Sequence, residues 1–179
     1  MTVYRFVPKM DLPEFGPDDD ITVEEIEHEA PATNSSFARR VALQVLYEMD
    51  ATNHRPGEIM TARLEAQDTD RRETRYVRRL VQGFVANRTA IDDVIRPFVQ
   101  GWPLEQIASI DRNILRLAVM ELIEQRVSIS VVIDEAVGLA NIFGTENSIG
   151  FINGVLGQLV ADDRVLETLR TLKTDGDAL

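Results

Sequence analysis

The sequence has no cysteine and few aromatic residues, and both absences restrict what the protein can be. Without cysteine there is no disulfide scaffold, no cysteine-ligated zinc or iron–sulfur site and no thiol nucleophile. Aromatic residues make up 6% of the 179 positions, and there are only 10 glycines and 7 prolines. Helix-favouring residues dominate the remainder, so the composition favours a helical fold over a β-sandwich or barrel.

Long apolar runs and paired histidines are also missing. No segment approaches the length of a membrane span, and the first residues have neither the cationic flank nor the cleavage site of a secretion signal. We therefore expect a cytoplasmic protein with no membrane partner. His28 and His54 are the only histidines, and they have no partner at ligand spacing. The sequence predicts no metal, no cofactor and no catalytic centre.

The net charge of −11 is unevenly distributed along the chain. Residues 1–34 carry nine acids against two bases, and residues 97–179 carry twelve against six. Residues 35–96 instead carry nine acids and eleven arginines. Because arginine binds phosphate in a bidentate manner, this mildly basic middle segment is compatible with an RNA partner.

The pattern of prolines, acids and apolar residues divides the chain into segments. Residues 1–35 are predicted to be a flexible acidic extension. Apolar residues then recur at helical spacing over residues 36–165, which predicts an all-α bundle of about seven helices in two small subdomains, with no strand. Residues 166–179 are predicted to hold a helix end and a tail.

Individual residues predict where these helices begin and end. Ser36, Asp70 and Thr145 are suited to N-cap positions. A bend or break is expected near Asn87, within an otherwise long helix. The segment Ile110–Ile123 is apolar on almost every side, so it is predicted to lie at the centre of the bundle.

Three stretches, in this order, resemble the NusB family of transcription antitermination factors. They are ARRVALQVLY at residues 38–47, IDRNILRLA at residues 110–118, and residues 133–156, where IDEAV is followed by FG and SIGFINGVL. The resemblance covers about residues 36–163. It implies a non-catalytic helical protein that pairs with NusE, a small-subunit ribosomal protein, and binds boxA-type single-stranded RNA.

The same resemblance implies a role in the RNA polymerase antitermination complex, particularly on ribosomal RNA operons, and allows a homodimer. Two alternatives stay open. The chain could be a NusE-binding module with little RNA affinity of its own, or an rRNA-binding accessory domain for an RNA methyltransferase.

Three arginines are candidate RNA contacts because of the resemblance. Arg39 and Arg40 lie in the predicted first turn of the first helix, where cations oppose the helix dipole and an anionic partner would compensate. In the family, an arginine-rich arm that precedes this helix contacts RNA phosphates, which implies such a role for these two arginines. The resemblance also places Arg116 near the RNA. The alternative is that Arg39 and Arg40 are solvated, while Arg112 and Arg116 pair with acids such as Glu121 or Asp111.

The start of the last long helix is a second candidate RNA site. Asn147, Ser148 and Phe151 lie where free backbone N–H groups suit a phosphate and an aromatic ring can stack on an unpaired base. The alternative is a helix cap with a core phenylalanine. Each glycine costs a helix about 1 kcal/mol relative to alanine, so glycines within a helix are expected to have a compensating role. Here the predicted role is to allow close helix–helix approach. The three glycines of this helix are Gly150, Gly154 and Gly157.

Candidate protein-partner residues are Tyr47, Asp50 and Asp111. An amphipathic tyrosine ring suits a protein interface. The resemblance implies that the end of the first helix, with Tyr47 and Asp50, and also Asp111 contribute to the NusE-facing surface.

The densest basic stripe has no role implied by the resemblance. Its members fall largely on one side of a helix, so they could follow a phosphate backbone. Acids lie alongside, and a solvated face is the favoured interpretation. The stripe consists of Arg71, Arg72, Arg75, Arg78 and Arg79.

Overall fold

A computed structural model describes residues 2–4, 22–24, 34–67, 69–99, 101 and 103–176. The chain forms two compact units, residues 1–32 and residues 33–179. In the first unit, β1 (Thr2–Tyr4) pairs in parallel with β2 (Thr22–Glu24). Strands of three residues are too short to show an alternating sequence pattern, and they were not predicted from the sequence. The rest of the predicted flexible extension, apart from residues 34 and 35, lies outside the described residues.

The second unit is helical, which confirms the predicted fold class. Its described residues form seven helices: α1 Asn34–Ala51, α2 Pro56–Ala66, α3 Arg71–Ile95, α4 Ser109–Glu124, α5 Ile129–Phe143, α6 Ser148–Val160 and α7 Asp163–Gly176. Two short 3₁₀ turns, Arg96–Phe98 and Leu104–Gln106, lie between α3 and α4. Helix α7 runs across the boundary predicted between residues 165 and 166.

Local signals placed some helix ends correctly and others wrongly. Asp70 caps α3 as predicted: its carboxylate accepts the backbone N–H groups of Arg72 and Glu73. Ser36 is not an N-cap, because α1 begins two residues earlier and the Ser36 hydroxyl donates to Glu135 at 2.6 Å. The predicted break near Asn87 is also wrong. The Asn87 amide donates to the Gly83 carbonyl within a continuous α3.

The start of α6 also differs from the prediction. Its N-cap is Asn147 rather than Thr145. The Thr145 backbone N–H instead donates to the Ser148 hydroxyl at 2.8 Å. As an N-cap, the Thr145 side chain would accept a hydrogen bond from a backbone N–H group of the helix. Here the loop backbone instead donates to the side chain of Ser148, the first residue of the helix.

Helix α4 is the centre of the unit, as its apolar sequence predicted. Every residue from Asn113 to Ile123 is buried. Helices α1, α2 and α3 pack together with α4 on one side, and α5, α6 and α7 pack together with α4 on the other. The two groups of helices therefore share one central helix, and its buried charged residues can reach both groups.

The central position of α4 makes Leu117 a sensitive core residue, since its side chain is 1% exposed. We expect Leu117→Ala to lower the free energy of unfolding by about 2–5 kcal/mol, through lost transfer energy and a residual cavity. Urea denaturation of both proteins measures this difference. A loss of under about 1 kcal/mol would contradict the central packing of α4.

Candidate nucleic-acid and protein interface

A cluster of ionised side chains, the Asp50 cluster, joins α1, α3 and α4. Asp50, near the end of α1, accepts hydrogen bonds from Arg112 at 2.9 Å, Arg116 at 2.8 Å and the Asn113 amide at 3.1 Å. Arg116 also donates two hydrogen bonds to Asp92 of α3, at 2.7 and 2.9 Å. The cluster therefore ties the end of α1 to the first half of the central helix.

The pairing in the Asp50 cluster shifts its pKa values. Burial alone raises the pKa of Asp50, but hydrogen bonding from Arg112 and the charge of Arg116 outweigh it, so the pKa is lowered. Burial likewise lowers the pKa of Arg116, and the bonds to Asp92 and Asp50 reverse that effect and raise it. Both groups are therefore held in their charged forms at neutral pH.

A second cluster, the Arg39 cluster, joins α1, α3, α4 and α5. Arg39 is 1% exposed and makes a bidentate pair with Glu121, with Nε–Oε2 and Nη2–Oε1 distances of 2.8 Å. A second carboxylate, Glu135 of α5, lies 3.4 Å from Nη1. The Tyr76 hydroxyl donates to Glu121, and its ring lies 5.4 Å from the Arg39 guanidinium carbon. Burial and the negative Glu121 raise the pKa of Tyr76.

Two of the arginines predicted to contact RNA lie inside these clusters. Arg39 and Arg116, the latter 4% exposed, face inward rather than solvent. Arg39 lies in the second turn of α1, since the helix begins at Asn34, and its side chain faces Glu121 of α4. Neither guanidinium is presented to an external phosphate. Arg40 is half-buried and is the remaining arginine of the predicted set at the surface.

Of the three residues predicted at the start of α6, Phe151 lines a surface groove, the Phe151 groove. Half-buried Phe151 lines it with Phe98 and Ile107, around a volume of about 280 Å³. Asn147 is exposed, whereas Ser148 is 1% exposed, with its hydroxyl bound within the turn. Phe98 was not among the residues predicted from the sequence to contact a partner, so its position in the groove was missed.

The glycines of α6 do not serve close packing, so that prediction is wrong. A Cβ atom at Gly150, Gly154 or Gly157 would meet nothing within 4 Å. Gly150 and Gly154 instead line the Phe151 groove. Close approach occurs elsewhere: a Cβ at Gly83 would lie 2.5 Å from Cε of Met120.

A second groove, the Tyr47 groove, lies where α1 meets the start of α4. Its volume is about 490 Å³, and Leu43, Tyr47, Ile110 and Phe143 contribute apolar surface. Tyr47 is 46% exposed, which is unusual for so large an apolar ring. The rim carries Arg63, which is paired with Glu48 at 2.7 Å.

The two acids predicted to face a protein partner differ in their surroundings. The Asp50 side chain is 7% exposed and saturated with cationic donors, so it faces the protein interior. Asp111 is 9% exposed, and its Oδ1 is the only buried side-chain polar atom without a hydrogen-bond partner among the described residues. Because this oxygen is itself buried, a donor on a partner does not reach it in this conformation.

Within the part of the chain that the structure describes, no group of three or more acids and histidines could hold a metal ion. None of the described helices is long and apolar enough to cross a membrane. The features described so far are a helical scaffold, two ion-pair clusters that hold it together, and the Tyr47 and Phe151 grooves. Together they define a helical binding protein.

Comparison with known proteins specifies the class further. The sequence profile of the NusB family matches residues 36–161, and this chain belongs to the NusB family. It is 38% identical to the transcription antitermination protein NusB of Roseiflexus sp. (strain RS-1) over 69% of this chain and 89% of that protein. With the corresponding protein of Acidothermus cellulolyticus, the identity is 43% over 70% and 86%.

Solved structures show the same fold. The T. maritima NusB structure superimposes with a TM-score of 0.70 at 30% identity, covering 76% of this chain and 96% of that one. A structure of antitermination factors NusB and NusE in complex with dsRNA gives 0.66 at 28% identity, covering 72% and 96%. The resemblance noted in the sequence is confirmed.

Proposed function

We propose that this chain is a transcription antitermination factor that pairs with NusE and binds boxA-type RNA, supporting ribosomal RNA transcription in the bacterial cytoplasm. The observation that carries the proposal is the NusB fold with two separate open grooves, one apolar with an exposed tyrosine and one aromatic with glycines. A relative of the same fold is solved with NusE and dsRNA. The role is one of binding, not catalysis.

The Tyr47 groove is the proposed NusE face. It combines an exposed aromatic ring with an apolar floor, as the core of a protein interface does. Asp111 lies in the same first turn of α4 as Ile110, which lines the groove. Asp50 contributes indirectly, by fixing the end of α1.

The Phe151 groove is the proposed RNA face. Phe151 and Phe98 offer rings on which an unpaired base can stack. Gly150 and Gly154 present bare backbone to the groove, so a nucleotide can approach closely. Asn147 adds an exposed amide beside it.

We expect one variant at each groove to weaken the binding of a different partner, RNA at the Phe151 groove and NusE at the Tyr47 groove. Phe151→Leu retains apolar bulk but removes the stacking surface, so boxA RNA affinity in the presence of NusE should fall about 5- to 100-fold. NusE affinity should not change. Tyr47→Ala should weaken NusE binding and leave the groove at Phe151 intact.

Fluorescence anisotropy with a boxA RNA and calorimetric titration with NusE measure these two affinities. The variant Phe151→Tyr is the matched control, because it keeps the aromatic ring. Equal RNA affinity for Phe151→Leu and the wild-type protein would contradict the RNA face.

The alternative, a NusE-binding module with little RNA affinity, has one observation in its favour. Arg39 and Arg116 are both engaged in buried ion pairs, so two of the three predicted RNA arginines are not available. RNA affinity of the complex no greater than that of NusE alone would favour this alternative. Failure to bind NusE would exclude both functions.

A further inference from the structure

The outer face of α3 carries a row of cationic side chains, none of which lines the Tyr47 groove or the Phe151 groove. Arg71, Arg75 and Arg78, here called the outer arginine row, are exposed. Their spacing of four and three residues places them on one side of the helix, over about 10 Å of its axis. With Thr74 and Gln82 they line an open groove of about 650 Å³.

The carboxylates nearest to this row in the sequence are already engaged. Asp70 and Glu73 form the capping box at the start of α3, with their oxygens on backbone N–H groups. Arg79, at the edge of the groove, is paired with Glu124 at 2.8 Å. Among the described residues, no ion pair involves any arginine of the outer row.

The lack of a direct ion pair for these three arginines among the described residues is notable because acids outnumber bases in this chain, 30 to 19. Like charges at three- and four-residue spacing on a helix repel one another. A bound anion would relieve this repulsion. A row of cations along a helix suits a ligand whose negative charges also repeat at regular intervals.

We propose that the outer arginine row binds the phosphate backbone of RNA that extends beyond the boxA element, without reading its sequence. Arginine presents a planar fork that matches phosphate oxygens, and the Thr74 hydroxyl and Gln82 amide add donors suited to phosphate and ribose oxygens. No aromatic or aliphatic residue lines the groove. A protein partner would lack the apolar anchor that interfaces use. The inference rests on the RNA binding proposed above and adds a second contact to it.

The test compares two RNAs across a salt series, using the full-length protein with NusE. One RNA contains boxA alone, and the other contains the same boxA flanked by unstructured oligouridine. For the triple variant Arg71→Gln/Arg75→Gln/Arg78→Gln, the slope of log affinity against log salt for the longer RNA should decrease by about 2, at about 0.7 per lost phosphate contact. Low-salt affinity should fall on the order of tenfold. The shorter RNA should bind as before.

A second triple variant controls for net charge. Arg55→Gln/Arg164→Gln/Arg170→Gln removes three exposed cations outside the row and should leave the slope unchanged. Glutamine is a good helix former, so the helices should persist, which circular dichroism checks.

An equal loss in both triple variants would show a general charge effect and overturn the inference, as would an unchanged slope in the first. The failure of the proposed function looks different. In that case the wild-type protein with NusE does not bind the shorter RNA, while the slope on the longer RNA still tests the row.

Discussion

Asp50→Asn should lower the free energy of unfolding by about 3–5 kcal/mol at neutral pH, the range for breaking one side of a buried ion pair. The substitution leaves Arg112 and Arg116 with one carboxylate fewer, and Arg116 is 4% exposed. Asp92 can still neutralise Arg116 in part, through the bond at 2.7 Å. Arg112 would keep only the carbonyl oxygens of the turn before α4. Urea denaturation measures the difference.

The same variant should show a defined pH dependence. The pKa of Asp50 is lower in the folded protein than its ordinary value of 3.8. Its contribution to stability is therefore fully present above the unfolded-state pKa and is lost as the pH falls through the folded-state pKa. The gap between wild-type and Asp50→Asn proteins should be constant near neutrality and narrow below about pH 4.

The control for this prediction is an exposed carboxylate in an ordinary surface pair. Asp93, whose side chain is 61% exposed, pairs with Arg96 on the surface of α3. Asp93→Asn should change the free energy of unfolding by less than about 1 kcal/mol. If the two variants were equally stable at neutral pH, the Asp50 cluster would not support the junction of α1 with α4.

Features that depend on residues close together in the sequence could be predicted from it. The apolar surface of residues 110–123 requires burial on every side, and α4 is indeed the central helix. The cap at Asp70 could also be predicted, because Glu73 stands at the spacing of a capping box. The family resemblance rests on short ordered motifs, and it too was readable without a structure.

The partners of the buried arginines could not be predicted, because they lie far apart in the chain. The alternative to an RNA role was that Arg112 and Arg116 pair with acids such as Glu121 or Asp111. They pair instead with Asp50, which is 62 and 66 residues away, and Arg116 also pairs with Asp92. Such pairs depend on how α1 and α3 pack on α4, which charge spacing along one helix does not reveal.

A small error in a helix boundary had a larger consequence for the candidate site. With Ser36 as N-cap, Arg39 lies in the first turn, where a cation opposes the helix dipole and an anionic ligand explains its presence. With α1 beginning at Asn34, the same residue lies in the second turn and faces Glu121. The explanation then is an internal carboxylate rather than an external phosphate.

The Arg39 cluster gives the second large effect. Arg39→Met should lower the free energy of unfolding by about 3–5 kcal/mol, because Glu121, 3% exposed, loses its cation while it remains buried. The double variant Arg39→Met/Glu121→Gln removes the stranded charge and keeps an acceptor for the Tyr76 hydroxyl. It should therefore be more stable than Arg39→Met alone in urea denaturation. Arg40→Ala, at a half-buried neighbouring position, is the control and should cost much less.

The double variant also separates a structural role for Arg39 from a role in RNA binding. If Arg39 acts only by holding α1 against α4 and α5, the refolded double variant should bind boxA RNA with NusE at the wild-type salt slope, because no phosphate contact has been removed. A slope reduced by about one would mean that Arg39 reaches a phosphate in the complex. Its buried pair with Glu121 would then have to open on binding. The expected result is an unchanged slope, since a guanidinium that is 1% exposed and bound to two carboxylates has no donor left at the surface.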